Sequence, residues 1–270
     1  MHLPRLVKIL IVAAPLWAAL APVSRPQAPS PSGLTEAQRL FYSGKYKEAA
    51  AVVAPLRLSD VPANALAAYE LHSSALHFQI RDLLGEGKDR QKALRACGPC
   101  AGLLRELEAD VVTGRATAAT RLAVAPNDVQ ARYYQAKLML NRLWLQNGTL
   151  GRRTGLGDYR AARADLDRVL QRVPGHIRAR VARAWIDYFV DSRVPWGFKW
   201  VFGGGDRKKA ITALQAAEAE ASDPFDKAEA GFGLWNALVR EQRTADARVV
   251  AERLYTTFPD NGELKKFLGR

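Results

Sequence analysis

The residues with the most obvious chemical potential are the two cysteines of Cys97-Gly-Pro-Cys100. This spacing brings both sulfurs to one helix start, where the helix amides lower the first thiol's pKa and suit it to thiol–disulfide exchange. In an exported chain the same spacing also fits a short-loop structural disulfide, and otherwise a pair of thiols at an interhelical bend. Haem attachment needs a histidine after the second cysteine, and Ala101 stands there. The four histidines, His2, His72, His77 and His176, are too scattered for a zinc cage. His72 and His77 are five apart and do not share one helix face, so they read as packing or surface residues. No catalytic constellation, metal site or cofactor motif is expected.

Two further stretches could bind rather than react. Between Gly151 and Arg183 lie nine arginines, at 152, 153, 160, 163, 168, 172, 178, 180 and 183, against Asp158, Asp165 and Asp167, a local charge of +6. Such a surplus is either a solvated helix face or a docking surface for anionic head groups, envelope polymers or an acidic protein, because guanidinium forks pair with phosphate and carboxylate. Pro195-Trp-Gly-Phe-Lys-Trp-Val-Phe202 holds four aromatics, and it either lies in a membrane interface or folds back to plug gaps between helices. Arg152, Arg153, Trp196 and Trp200 are the candidate anionic or membrane-surface residues. Gly203-Gly-Gly-Asp206 lacks the Gly-Lys-Ser/Thr ending of a phosphate loop, so Asp206 is expected as a helix N-cap. Asn147-Gly-Thr149 reads as a turn.

The elements that must position these residues are helices. Of the 270 residues, 48% are hydrophobic and 25% charged, which places the chain in the globular band and excludes disordered, collagen-like and disulfide-scaffold classes. Apolar residues recur at three and four and break at Gly or Pro, without strand alternation. The spacing predicts helices near 34–43, 45–57, 62–84, 89–96, 99–113, 115–125, 127–146, 158–172, 175–191, 206–221, 224–241, 244–257 and 260–268, with Asp158 introducing the eighth. The fold class is therefore all-α.

Gly44-Lys-Tyr-Lys-Glu-Ala49, Gly157-Asp-Tyr-Arg-Ala-Ala162 and Gly205-Asp-Arg-Lys-Lys-Ala210 each place an alanine five residues after a turn glycine, and Gln242 to Ala247 keeps the spacing without the glycine. Apolar or small residues follow four and seven positions later, and Pro62, Pro174, Pro224 and Pro259 follow the runs. On these residues the chain resembles the tetratricopeptide repeat family over roughly 34–62 and 127–268. The resemblance implies an antiparallel helix-pair solenoid, in which the alanine lets paired helices approach and the proline ends the second helix. Ala162 and Ala210 are 48 residues apart and Ala210 and Ala247 are 37, against a family period of roughly 34, so insertions interrupt the array. Residues 63–125 match poorly and read as a divergent unit or an insertion. The resemblance of Cys97–Cys100 to the active-site sequence of thioredoxin-like oxidoreductases stops at those four residues, since no strand pattern precedes them.

Residues 1–24 run from Arg5 and Lys8 into an uncharged stretch from Ile9 to Ser24, the order of a secretory signal, with a retained N-terminal anchor as the other reading. Residues 25–33, rich in Pro and Ser, are expected to be a tether. Residues 34–125 would form an N-terminal helical region and 126–270 the repeats. The chain has 40 Lys+Arg and 27 Asp+Glu, a net charge of +13, yet an export signal argues against a nucleic-acid partner. The expectation is a non-enzymatic scaffold, periplasmic or otherwise in the cell envelope, presenting a concave face to a protein or peptide. What the family resemblance implies for contacts is first-helix residues, here Arg132, Tyr133, Tyr134, Lys137, Arg178 and Trp185. The rival expectations are a peripheral membrane module and a redox-switched protein.

Overall fold

The computed structural model describes residues 31–85, 87, 89–152 and 154–270. The expected signal segment and residues 25–30 of the expected tether lie outside them. Among the described residues there are twelve α-helices and no strand. The first pair is α1 (Pro31–Tyr42) with α2 (Tyr46–Val53), and the second is α3 (Pro62–Leu84) with α5 (Cys100–Val124), the short α4 (Arg90–Ala96) lying in the turn between them. Three pairs follow: α6 (Val129–Leu143) with α7 (Leu156–Arg172), α8 (Ile177–Arg193) with α9 (Arg207–Glu220), and α10 (Pro224–Arg240) with α11 (Thr244–Thr257). The last helix is α12 (Gly262–Leu268). Each helix packs on its neighbours in the chain, and first helices also meet across pairs, α3 on α6 and α8 on α10. The first helix starts at Pro31, inside the expected tether, because proline is tolerated in a first turn.

The alanines sit where their spacing puts them, but Gly157, expected as a turn glycine, lies inside α7, and Gly155 makes that turn at φ +92°. Ala49, Ala162, Ala210 and Ala247 are all buried at the helix contacts. Gly44 turns with φ +77°, and where the fourth motif lacks its glycine, Gln242 itself takes the left-handed conformation at φ +58°. Pro62 and Pro224 begin α3 and α10 rather than ending the helices before them, since proline's missing N–H is harmless in a first turn.

Three expectations need correction. The break expected between 113 and 115 is absent, and α5 runs unbroken through Gly114. A Cβ there would stand 2.7 Å from Leu138 and 3.0 Å from Tyr69, so the glycine permits a close helix crossing instead of a turn. Asp158 does not introduce α7, which begins at Leu156 after Gly155 at φ +92°. Its carboxylate accepts from Arg142 Nε at 2.9 Å and from Arg115 at 3.4 Å. The helix expected over 127–146 ends at Leu143 and continues as one π-helical turn, Trp144–Thr149.

The two ends of the described chain meet. The Tyr42 ring lies among Phe225, Phe232 and Phe258, with centroids 5.6–6.2 Å away. Asn261 Nδ2 donates to the Tyr42 carbonyl at 2.8 Å, Lys45 pairs with Asp260 at 2.6 Å, and Arg81 pairs with Glu263. Helices α1, α3, α6, α8 and α10 thus surround a common interior.

Candidate functional site

That interior holds a cavity of about 480 Å³, and its walls come from all five inner helices. The periodicity is that of one face per helix: Glu70, Ser74, His77 and Arg81 on α3, Lys137, Asn141 and Trp144 along α6, Arg178, Trp185, Phe189 and Arg193 on α8, Glu229, Phe232, Asn236 and Arg240 on α10. From Glu229 to Arg240 is eleven residues, about 17 Å of helix.

One end of the cavity is a paired charge network. Lys137 Nζ lies 2.8 Å from Glu229 and 3.7 Å from Glu70, and Arg178 Nε lies 2.6 Å from Asp226 and 3.5 Å from Glu229. Burial opposes charge on Lys137, but Glu229 and Glu70 more than offset it and raise its pKa. Burial likewise opposes charge on Glu229, and Lys137 and Arg178 nonetheless hold its carboxyl below the ordinary value. Glu70 also accepts from Ser74 at 3.0 Å, while Asn141 Nδ2 donates to Ser73, Ser74 and the Glu70 carbonyl. A network this closely paired is built to be rigid. Further along, His77 Nε2 meets Thr149 Oγ1 at 2.8 Å, and burial, with Arg81 adding, pushes the imidazole pKa down to about 3.

The other end carries Arg81, Arg193 and Arg240, each in the last turn of its helix, with Arg90 beside them. The aromatic rings of Trp144, Trp185, Tyr188, Phe189, Phe232 and Trp235 line the wall. Trp185 meets Tyr188 edge-on at 5.3 Å, and Gly233 makes room for it, since a Cβ there would stand 2.9 Å from the Trp185 indole nitrogen.

Of the six expected contact residues, the structure brings Lys137, Arg178 and Trp185 to the cavity. Arg132 is spent on Asp165 at 2.9 Å and on the Pro126 carbonyl. Tyr133 is buried against Tyr134 and His176, with ring centroids 5.1 and 4.8 Å away, and neither tyrosine is among the wall residues. Glu70, Glu229, Trp235 and Arg240 were missed, although the repeat of 229, 232, 236 and 240 along α10 carries the signal.

The other expected sites lie elsewhere. Cys97 and Cys100 are joined in a disulfide, with Cα atoms 5.4 Å apart, where α4 meets α5. Most of the arginine surplus is consumed internally: Arg178 as above, Arg168 with Asp165, Arg180 with Glu220, and Arg183 with Asp167 and Asp187. Arg152 is exposed and reaches Gln146, and Arg153 lies outside the described residues. The 195–202 stretch does not plug the fold. It forms a 3-10 segment, Trp196–Phe202, that leaves Trp196 88% and Trp200 78% exposed, and only Phe202 tucks against Tyr159. Arg163 fastens its end by donating to the Phe202 carbonyl at 2.8 Å and the Gly203 carbonyl at 2.9 Å. Asp206 caps α9, accepting from Lys209 N–H at 3.0 Å. No described helix is long and apolar enough to cross a membrane, and no group of three or more His, Cys, Asp or Glu among the described residues could hold a metal.

No protein-family model matches this chain, and no curated protein matches it.

Proposed function

We propose that this chain is a non-enzymatic binding protein of the cell envelope, built as a tetratricopeptide-like array of helix pairs whose inner face receives a protein or peptide partner. The observation that carries this reading is the cavity of about 480 Å³ walled by the inner helices and lined by aromatic rings and charged side chains. Its aromatic lining offers apolar contact area to a guest, and the paired network of Lys137, Arg178, Glu70 and Glu229 holds one end of it rigid. The regular burial of Ala49, Ala162, Ala210 and Ala247 supports the repeat reading.

The test is a photo-reactive phenylalanine analogue placed at Phe232 in the cavity and, as a control, at Val249 on the exposed face of α11. Irradiation of envelope preparations should give one discrete adduct from position 232 and none from 249. Equal labelling from both would refute an inner-face site, and recovery of the chain from the cytoplasm with Met1 intact would refute the compartment.

The exposure of Trp196, Phe198 and Trp200 favours a second reading, a peripheral contact with anionic membrane. It predicts binding to vesicles containing anionic lipid that weakens with salt and is lost in Trp196→Ala/Trp200→Ala. Vesicle sedimentation unchanged by that double variant would end it.

A further inference from the structure

The arginine end of the cavity is unlike the opposite end in one respect: its charges are not balanced. Arg81 has Glu263 and Asp82 beside it and stacks over Phe78 at 4.3 Å. Arg193 and Arg240, both exposed at the cavity's rim, have no carboxylate partner among the described residues, and Arg240 donates only to the Asn236 side chain at 2.6 Å. Glu241, the next residue along, is occupied by the Tyr188 hydroxyl and by Arg207. The last-turn dipoles of α8 and α10 favour a cation at each position singly. They do not account for two unpartnered guanidinium groups facing one cavity. Desolvation is the first cause that lowers the pKa of Arg240; Tyr188 opposes it, and Arg193 and Arg81 add to it. Two cations without carboxylate partners at the rim of an aromatic-lined chamber suit an anion that carries an apolar body.

We propose that the inner cavity is a small-molecule site for an anionic amphiphile, whose carboxylate or phosphate-type head is held by Arg193 and Arg240 while its apolar or aromatic body lies between Trp185, Phe189, Phe232 and Trp235. This rests on the inner cavity being the functional binding site and goes beyond that reading by naming a small guest for the chamber itself, beside the protein or peptide received by the inner face. Guanidinium forks supply directed donors to an oxyanion, and the ring-lined wall takes the body out of water. The chamber's volume is that of a small-molecule site.

The experiment titrates the full chain with 8-anilinonaphthalene-1-sulfonate and with N-phenyl-1-naphthylamine, which has the same rings without the anion. The sulfonate should bind one per chain at least ~10-fold more tightly than the neutral dye. Arg193→Gln/Arg240→Gln should abolish that preference, leave the neutral dye's affinity unchanged and keep the melting temperature near wild type, because neither arginine holds an ion pair. Trp196→Ala/Trp200→Ala should change nothing, which places the dyes away from the exposed aromatic segment. Decanoate should displace the sulfonate dye at concentrations where inorganic phosphate does not. Displacement by phosphate alone would overturn the amphiphile in favour of a free-anion site. Equal affinity for the two dyes, or a preference that survives the double arginine variant, would overturn the inference while leaving the inner cavity as a binding site. If Asn236→Trp, which narrows the chamber, weakens neither dye, the cavity reading itself falls.

Discussion

Asn261 joins two jobs that a pair of substitutions can separate. Its side chain is 2% exposed, its Oδ1 caps α12 by accepting from Leu264 N–H at 3.0 Å, and its Nδ2 donates to the Tyr42 carbonyl at 2.8 Å, 219 residues away. Asn261→Ala removes both. Loss of an N-cap costs about 1 kcal/mol. Stranding the Tyr42 carbonyl adds about 1–2 kcal/mol, for a total of about 2–3 kcal/mol. Asn261→Asp keeps the cap acceptor at full strength but sets a carboxylate oxygen against that carbonyl. If the meeting of the first and last pairs is structurally important, the aspartate variant must remain at least about 1 kcal/mol below wild type. Urea unfolding gives the energy, and amide hydrogen exchange over α1 and α12 locates it, with faster exchange expected there in both variants. An aspartate variant within about 0.5 kcal/mol of wild type would show that only the cap matters and that the two ends contribute nothing by meeting.

Gln242→Gly should raise stability by about 0.5–1 kcal/mol in the same urea assay, because it relieves a left-handed conformation at φ +58° in a residue with a Cβ. Glu229→Gln should lower stability by about 3 kcal/mol, since it leaves Lys137 and Arg178 short of their shared anion inside the protein, and a loss below about 1 kcal/mol would contradict the network's burial. With its pKa near 3 when folded and near 6.5 when unfolded, His77 binds its proton more readily in the unfolded chain. Its contribution is therefore complete above pH 6.5 and is lost as pH falls toward 3, by about 2 kcal/mol at pH 5, and His77→Gln should flatten that part of the stability–pH curve. Reducing the four-residue loop closed by Cys97 and Cys100 should cost at most about 2 kcal/mol, read as a small shift in urea midpoint with exchange faster around α4 alone.

The all-helical class, most helix ends and the four buried alanines were legible in the sequence because each depends on residues within one or two turns. Lys137 and Glu229 are 92 residues apart and Lys45 and Asp260 are 215, so their pairing follows from how far each helix pair rotates on the last, which no local pattern records. Gly114 misled for a related reason. A glycine that admits another helix and a glycine that ends one look alike until the neighbour is known. The aromatic segment failed as a plug because its backbone is fastened by Arg163, 39 residues earlier, in a conformation that faces its rings outward. Arg193 and Arg240 were hidden among 28 arginines, and only the shortage of carboxylates around them in space sets them apart.

The seam between the first and last pairs also governs time. The ion pairs that hold it, Lys45 with Asp260 and Arg81 with Glu263, are partly exposed, with side chains 30–54% accessible, and exposed pairs are weak and screened by salt. Arg81, Asn261 and Glu263 of that seam also line the cavity, so loosening the seam loosens the wall around a guest. Raising ionic strength should therefore shorten the residence of even an uncharged guest, in part through the Lys45–Asp260 pair, which lies outside the cavity wall.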